Sequence, residues 1–442
     1  MRPIYLLLKF TLMYSLNVYF RKIKLVNPPK KWRSRTVFVL NHPSAFLDPL
    51  LVSDQQNTII HFMVRSDVFK PALKPLFWSV HMLPIYRSLD GEGALDKNEA
   101  VFNTCHNLLK KRRSLLLFGE GFTDDTFIRR LKPMKKGPVR IAFGAMEKYN
   151  WDFDLEIVSV GINYTDPNHF RSDVLISYSE PIKVNAYKER YAENPQAVMT
   201  EVTKKIESNL QAQITHYKNK DRKPLHEGIM RITRKGMNAE DFDPKLPMTA
   251  RWKYSRDLAN QINAKEETDA ENMDQLQKEV SGYFSLLKKF RLKEKYIHEY
   301  RTKGKLSNSG NWLFLILLFP LALVGAVHNF IPYYFTKRFV EGSFRRKVFW
   351  GGVKMMVGKV LIGLFNIPYI FLFYHLVYPS YWLGVIYYFT VPAITGLIAY
   401  NWFNRLKILI EKNKIKKAKI DLGKFVKKEE ELEEKIGQVL EI

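Results

Sequence analysis

The sequence predicts an α/β domain, with a mixed sheet flanked by helices, followed by a helical region and a membrane-embedded helical part. Three observations support this order. Short apolar runs alternate with turn residues and helical stretches between positions 36 and 184. The stretch 186–305 is polar and charged, and long runs beyond Asn311 carry no formal charge. A chain of 442 residues is long enough for two or three such parts.

The N-terminal segment, residues 1–32, begins with twenty apolar and aromatic residues that include Lys9. It lacks a small-residue cleavage site, and the basic run RKIK follows at 21–24. We interpret this segment as an uncleaved helix that lies in or dips into the membrane interface. An ordinary core helix would give the same pattern, so both interpretations stay open.

The α/β domain is assigned to residues 33–185. Its expected strands are apolar runs bounded by turn residues: TVFVL (36–40), TIIHFMV (58–64), SLLLF (114–118), IVSVGINY (157–164) and VLISYS (174–179). The segment PVRIAFGAMEKY, after Gly137, has apolar residues at helical spacing and is expected to be a buried crossover helix.

The rest of the chain is expected to be helical. We assign residues 186–306 to an accessory region, 307–404 to a membrane-embedded region and 405–442 to a charged amphipathic tail. The uncharged stretch from Val360 to Asn404 is long enough for two membrane spans joined at the VYPSYW turn.

The basic residues suggest a topology for these segments. They lie on both sides of the predicted hairpin, so both of its ends, and the preceding domain, are expected on the cytoplasmic side. The apolar stretch 311–335 is interrupted by Pro320, Gly325 and Pro332 and is followed by the basic loop KRFVEGSFRRK. We therefore expect this stretch to enter the membrane and return on the same side, or to lie in the interface.

Composition narrows the classes of partner. Seventy Lys and Arg against 44 Asp and Glu give a net charge of +26, which favours anionic partners, and the apolar C-terminal part favours membrane lipids over nucleic acid. The single cysteine, Cys105, excludes an intramolecular disulfide and a cysteine-based metal site. The histidines show no metal-ligand spacing, so no metal is expected.

A candidate catalytic pair follows the first predicted strand, in VFVLNHPSAFLDPLL. His42 is the only group in this segment that titrates near neutral pH, which makes it a candidate general base. Asp48 could hold its second ring nitrogen and stabilise the imidazolium. A structural histidine beside a capping aspartate is the alternative interpretation.

The motif belongs to an ordered series. The chain reads NHPSAFLDPLL, LPIYR (83–87), LLLFGEGFTDDTFIRRLKPMKKGPVRIAF (115–143) and IVSVGINY, and this series resembles the four sequence blocks of the glycerophospholipid acyltransferases. The resemblance covers roughly residues 33–184. The third block is similar to that of fungal-type glycerol-3-phosphate acyltransferases, where FPEG precedes Ser-His-Asp and Leu-x-Pro-Leu-Lys. Here these positions read FGEG, Thr123-Asp124-Asp125 and Leu131-Lys132-Pro133-Met134-Lys135.

The resemblance implies transfer of a fatty acyl group from acyl-CoA or acyl carrier protein to glycerol 3-phosphate, in phospholipid biosynthesis and without a cofactor. It implies that His42 and Asp48 are catalytic. The acceptor site is implied to include Arg87, Glu120, Gly121 and Lys135. Since a carboxylate cannot bind a phosphate directly, Glu120 is expected to orient a glycerol hydroxyl or a basic neighbour.

Departures from the family pattern leave alternatives open. Five residues separate His42 from Asp48 where the family has four, so the two side chains cannot share one face of a continuous helix. Pro43 makes a non-helical start plausible, with a helix opening just after it. Gly119 replaces the usual Pro. The acceptor could instead be 1-acylglycerol 3-phosphate, or the chain could be an inactive lipid-binding relative.

Overall fold

The computed structural model describes residues 3–29, 35–55, 59–69, 74–86, 93 and 96–440. The chain forms two compact units, Met1–Lys220 and Asp221–Ile442. The first unit therefore includes the N-terminal helix and continues beyond residue 185, where the sequence analysis ended the α/β domain.

Among the described residues, the first unit contains a mixed sheet of eight strands. Its strands are Lys22–Val26 (β1), Thr36–Leu40 (β2), Ile60–Arg65 (β3), Met82–Ile85 (β4), Ser114–Phe118 (β5), Glu156–Tyr164 (β6), Asp173–Tyr178 (β7) and Ile182–Lys183 (β8). The order across the sheet is β1-β7-β6-β2-β5-β3-β4, with β8 paired to β6. β6 runs antiparallel to β7 and β8, and the other pairs are parallel.

The five predicted strands are confirmed as β2, β3, β5, β6 and β7, each within two residues of the expected start. β1 was missed because the sequence KIKLV was read as a basic flank. Its alternation of charged and apolar residues is the period of a strand with one exposed face. β1 pairs in parallel with β7, so residues 22–26 belong to the sheet.

Seven helices are described in the first unit: Pro3–Tyr19 (α1), Leu47–Asp54 (α2), Lys74–Ser79 (α3), Lys97–Lys110 (α4), Gly137–Lys148 (α5), Lys188–Glu193 (α6) and Pro195–Gln213 (α7). The predicted helix after Gly137 is confirmed as α5. It packs with α4 and α7, and their apolar faces form one core with the sheet.

The two ends of the N-terminal helix α1 differ in their burial. Near its end, Leu16, Tyr19 and Phe20 are buried, and the Tyr19 hydroxyl donates to the Pro167 carbonyl at 2.8 Å. Several of its exposed side chains are apolar, among them Leu7 and Phe10. The interfacial position of this helix stays a prediction.

The second unit is helical throughout its described part. Its helices are Lys223–Thr233 (α8), Met248–Thr268 (α9), Ala270–Lys289 (α10), Glu294–Lys303 (α11), Ser309–Ser343 (α12), Trp350–Leu376 (α13), Tyr381–Lys417 (α14) and Leu422–Leu440 (α15). α15 packs with α8, α9, α10 and α11 around one hydrophobic core.

By length and composition, three helices of the described chain could cross a membrane: residues 310–343, 347–376 and 381–417. The two predicted helices around the VYPS turn are confirmed as α13 and α14. Of the two arrangements expected for residues 311–335, the one that turns back is wrong, because α12 is one continuous helix of 35 residues that contains Pro320 and Pro332. A proline removes one intrahelical hydrogen bond, and the neighbouring turns preserve the helix. A position in the interface stays a prediction.

Candidate active site

The site lies where parallel strands end together. β2 pairs with β5 so that Leu40 lies opposite Phe118, and β2 also pairs with β6. The residues that follow β2 and β5 therefore leave the sheet at the same edge. Asn41 fixes this edge, since its side chain accepts from the Ile162 N–H at 2.8 Å and donates to the Ile162 carbonyl at 3.1 Å.

His42 and Asp48 are in contact. His42 Nδ1 lies 2.8 Å from Asp48 Oδ2, and Asp48 is fully buried. The residues between them form a turn in which Ala45 has a φ of +42°, and α2 begins only at Leu47. The expected non-helical segment is confirmed, but the helix does not open directly after Pro43. The left-handed residue lets five intervening residues close the pair.

Asp48 is held on both oxygens. Oδ2 also accepts from the Ser44 N–H at 2.9 Å, and Oδ1 accepts from the Tyr164 hydroxyl at 2.8 Å. Tyr164 lies at the end of β6 and is fully buried. Burial, the Asp48 charge and this hydrogen bond raise the pKa of Tyr164 well above its usual range, so the hydroxyl remains a donor. The carboxylate is thereby fixed in orientation.

The imidazole is also held on its face. Its ring stacks on Phe118, the last residue of β5, with the centroids 3.8 Å apart and the planes 18° from parallel. The His42 side chain is 19% exposed. Because Nδ1 is engaged by Asp48, Nε2 is the nitrogen that can face a substrate. A histidine held in this way can remove a proton from a hydroxyl.

A buried ion pair supports the backbone of His42. Glu120 is 1% exposed, and it accepts from the His42 N–H at 2.7 Å and from the Lys132 N–H at 3.2 Å. The Lys132 ammonium lies 2.6 Å from the same carboxylate and is itself buried. Of the two roles expected for Glu120, these contacts fit the orientation of a basic neighbour. Lys132 also lies 3.5 Å from Asp124.

Two glycines shape the turn after β5. A Cβ at Gly119 would lie 2.0 Å from the Met134 methyl, so the methionine occupies the space that a larger residue would need. Gly121 has a φ of +77°, and a Cβ there would meet the exposed Lys135 side chain. Lys135 donates its backbone N–H to the Gly119 carbonyl at 2.9 Å. The structure thus brings Gly121 and Lys135 together beside Glu120.

Not every predicted site residue can be compared. Arg87 lies outside the described residues. Sequence reasoning missed Tyr164, Phe118 and Lys132. Tyr164 is the last residue of the fourth block. Nothing in the local sequence indicates its contact with Asp48, because the two residues are 116 positions apart. Lys132 stands in a run of basic residues, and nothing in that run distinguishes a buried cation from an exposed one.

Comparisons with known proteins find similar sequences over the part of the chain that contains this site. The family described as Acyltransferase matches residues 20–163. Glycerol-3-phosphate O-acyltransferase 1 of Saccharomyces cerevisiae is 23% identical over 294 residues, which cover 64% of this chain and 37% of that protein. Glycerol-3-phosphate O-acyltransferase 2 of the same yeast is 30% identical over 114 residues, which cover 26% and 15%. The chain therefore spans well under half the length of these relatives.

Among solved structures, the 1-acyl-sn-glycerophosphate acyltransferase PlsC of Thermotoga maritima is similar, with a TM-score of 0.31 and 15% identity. The match covers 45% of this chain and 78% of that one.

Most of the mixed sheet, and the paired histidine and aspartate where its strands end, lie within the residues that match the acyltransferase family, 20–163. The chain carrying these residues is similar to yeast glycerol-3-phosphate acyltransferases.

Proposed function

We propose that this chain transfers a fatty acyl group from an acyl thioester, acyl-CoA or acyl carrier protein, to the hydroxyl of glycerol 3-phosphate. The observation that carries the proposal is the His42–Asp48 pair at 2.8 Å, with Asp48 buried and held by two further donors. Similarity to the two yeast glycerol-3-phosphate acyltransferases supports the choice of acceptor.

In the proposed reaction, His42 Nε2 takes the proton of the acceptor hydroxyl as the oxygen attacks the thioester carbonyl. The new C–O bond forms, the C–S bond breaks, and the proton passes from His42 to the leaving thiolate. Asp48 stabilises the imidazolium between these two events, as a buried carboxylate does in a catalytic triad. No covalent acyl-enzyme is needed.

The acceptor phosphate would lie on the basic side of the turn after β5. Lys135 is exposed there, and no described carboxylate forms an ion pair with it, so its ammonium is available to an anion. Gly121 lets the backbone come close, and Arg87 is proposed as a bidentate ligand. Lys132 is less suited to this task because Glu120 already neutralises it.

We further propose that the protein is an integral membrane enzyme with its catalytic unit on the cytoplasmic side. The three long apolar helices support membrane insertion. Acyl chains of donor and product would then remain near the bilayer while the phosphate groups stay in water.

The test is acyl transfer by the purified full chain in lipid vesicles. It uses labelled acyl-CoA and acyl carrier protein with glycerol 3-phosphate, 1-acylglycerol 3-phosphate and glycerol as acceptors. Transfer to glycerol 3-phosphate that His42→Ala abolishes, without a change in thermal unfolding, is the expected result. Asp48→Asn should keep residual activity because the imidazole remains.

Transfer only to 1-acylglycerol 3-phosphate would change the acceptor and keep the mechanism. Transfer by His42→Ala at the wild-type rate would refute the mechanism. A wild-type protein that binds lipid but transfers to none of the acceptors would make it an inactive relative.

A further inference from the structure

The three long helices of the second unit, α12, α13 and α14, are antiparallel to one another in every pair. α12 and α13 are antiparallel: Glu341 pairs with Lys354 at 2.7 Å, and further back along α12 His328 lies 2.5 Å from Asn366. Between these contacts, Thr336 lies against Gly358. This pairing involves the second half of α12 and roughly the first two thirds of α13.

The first half of α12 has a different partner. The Trp402 indole donates to the Leu315 carbonyl at 2.8 Å, and the Asn329 amide donates to the Pro392 carbonyl at 2.9 Å. Gly325 lies against Thr395 between them. Since residue numbers fall in α14 as they rise in α12, these two helices are antiparallel as well.

α13 and α14 are also antiparallel, over a short stretch next to their connecting turn. The rings of Tyr374 and Tyr381 stack at 4.3 Å, and the Tyr388 hydroxyl donates to the Gly363 carbonyl at 3.1 Å. Each of the three helices thus contacts one neighbour toward its first residues and the other neighbour toward its last residues. The exchange occurs at a buried polar cluster of His328, Asn366 and Tyr387.

Three straight spans through a bilayer cannot all be antiparallel to one another, because two of any three must run in the same direction. Membrane-spanning helices tilt by roughly 0–40° from the bilayer normal. At least one of α12, α13 and α14, or the part of it beyond a proline, must therefore lie far from the normal.

The number of crossings is also constrained. α15, which follows α14, packs against helices that precede α12. Arg301 donates to Glu433 at 2.8 Å, and the rings of Phe290 and Phe425 are 5.4 Å apart. Both ends of the membrane region therefore lie on one face of the bilayer, and the number of crossings is even.

The length of each paired stretch, compared with the thickness of the hydrocarbon core, indicates which helices cross the bilayer. From Ser309 to His328, α12 extends about 29 Å at 1.5 Å per residue, which matches a hydrocarbon core of about 30 Å. α14 accompanies it over this length. The paired stretch of α13 and α14, from Gly363 to Leu376, extends only about 20 Å, which is two thirds of the core.

We propose that α12 and α14 cross the bilayer as an antiparallel pair and that α13 lies along the opposite face. The end of α12 and the turn that leads to α13 would then rest on lipid headgroups, where their basic side chains contact phosphate. These side chains are Lys337, Arg338, Arg345, Arg346 and Lys347, and four of them are exposed. This arrangement replaces the hairpin of α13 and α14 expected from the sequence, and it does not depend on which acyl acceptor is used.

The face of the bilayer that holds the ends of α11 and α14 keeps more basic residues than the face that holds the turn between α12 and α13. The twenty residues after Asn404 alone contain eight, beginning with Arg405 and Lys407, and the tail helix contains more. The arrangement is therefore consistent with the excess of Lys and Arg on the cytoplasmic side.

Single cysteines placed in the Cys105→Ser full chain test the proposal, with a membrane-impermeant maleimide added to sealed vesicles of one orientation. The four positions are Lys303→Cys at the end of α11, Ser343→Cys at the end of α12, Val377→Cys in the turn after α13, and Lys417→Cys at the end of α14. All four residues are exposed, and labelling in detergent is the control. Gly342→Cys replaces any Ser343→Cys protein that does not label in detergent.

The expected result is that positions 303 and 417 react from one side, and positions 343 and 377 only from the other. Positions 303, 343 and 417 on one side with 377 opposite would restore the α13–α14 hairpin and overturn the proposal. All four on one side would mean that no helix crosses. If positions 303 and 417 react from opposite sides, the number of crossings is odd. If position 377 reacts from the same side as position 303 and position 343 reacts from the other side, α13 crosses the bilayer. Each of these three outcomes also refutes the proposal.

Discussion

Replacing Tyr164 by phenylalanine should separate the orientation of Asp48 from the rest of the site. The change removes one hydroxyl from a fully buried position and keeps the ring, which stacks near Phe20 with the centroids 5.9 Å apart. Asp48 Oδ1 then loses the donor at 2.8 Å, while Oδ2 keeps Ser44 and His42.

A hydrogen bond to a charged group contributes about 1.5–3 kcal/mol, so the free energy of unfolding should fall by about this amount. If the same bond orients Asp48 in the transition state, kcat should fall by about 10-fold to 100-fold, since about 1.4 kcal/mol corresponds to a factor of ten. The KM of the acceptor should change little.

The assay is kcat and KM for acyl transfer, with chemical denaturation measured in the same detergent. Tyr19→Phe is the matched control, because it removes a buried hydroxyl that donates to a backbone carbonyl rather than to Asp48. It should lower stability and leave kcat unchanged. A Tyr164→Phe protein that is destabilised but has the wild-type kcat would show that the hydroxyl serves the fold alone.

Two further predictions concern the acceptor and the stability of the catalytic unit. Arg87→Ala should raise the KM of the acceptor far more than that of the donor, because a phosphate contact is lost for one substrate only; equal effects on both would refute the assignment. His216 accepts from the Leu131 N–H at 2.9 Å, and burial, followed by Lys218 and Arg130, lowers its pKa to about 4. Between pH 6.5 and 4 the unfolded chain binds a proton that the folded chain does not, so stability should fall as pH falls through this range. His216→Asn keeps an acceptor without a titration and should flatten this dependence in denaturation curves at pH 5 and 8; an unchanged slope would contradict the assignment.

The strands of the sheet could be predicted because burial on both faces imposes continuous apolar runs, as in TVFVL and SLLLF. β1 could not be predicted in the same way. It has exposed lysines on one face, and its place in the sheet depends on a partner about 150 residues away.

The contact of His42 with Asp48 was predictable only in part. Their spacing indicated a break in the helix, but the left-handed conformation of Ala45 depends on the packing of the whole turn. The Glu120–Lys132 pair could not be foreseen either. Burial of a charged residue depends on tertiary neighbours, and local sequence does not contain them.

The membrane region shows where length and charge are insufficient as guides. Each of the three apolar stretches is long enough to span, and the prolines of α12 suggested a break. The partner that each helix half selects is set by small residues and buried polar groups, such as Gly325 and His328, and hydropathy does not record them.

The two glycines of the turn after β5 would respond differently to directed evolution. At position 119 an added Cβ clashes with the flexible tip of Met134 and makes an ordinary contact with Val39, so a library that varies positions 119 and 134 together should yield functional pairs with the bulk redistributed between them. At position 121 the backbone conformation itself excludes most side chains, whatever surrounds it. Position 119 can therefore accept a larger residue when Met134 becomes smaller. Position 121 has to remain glycine in any variant that is designed for a different acceptor.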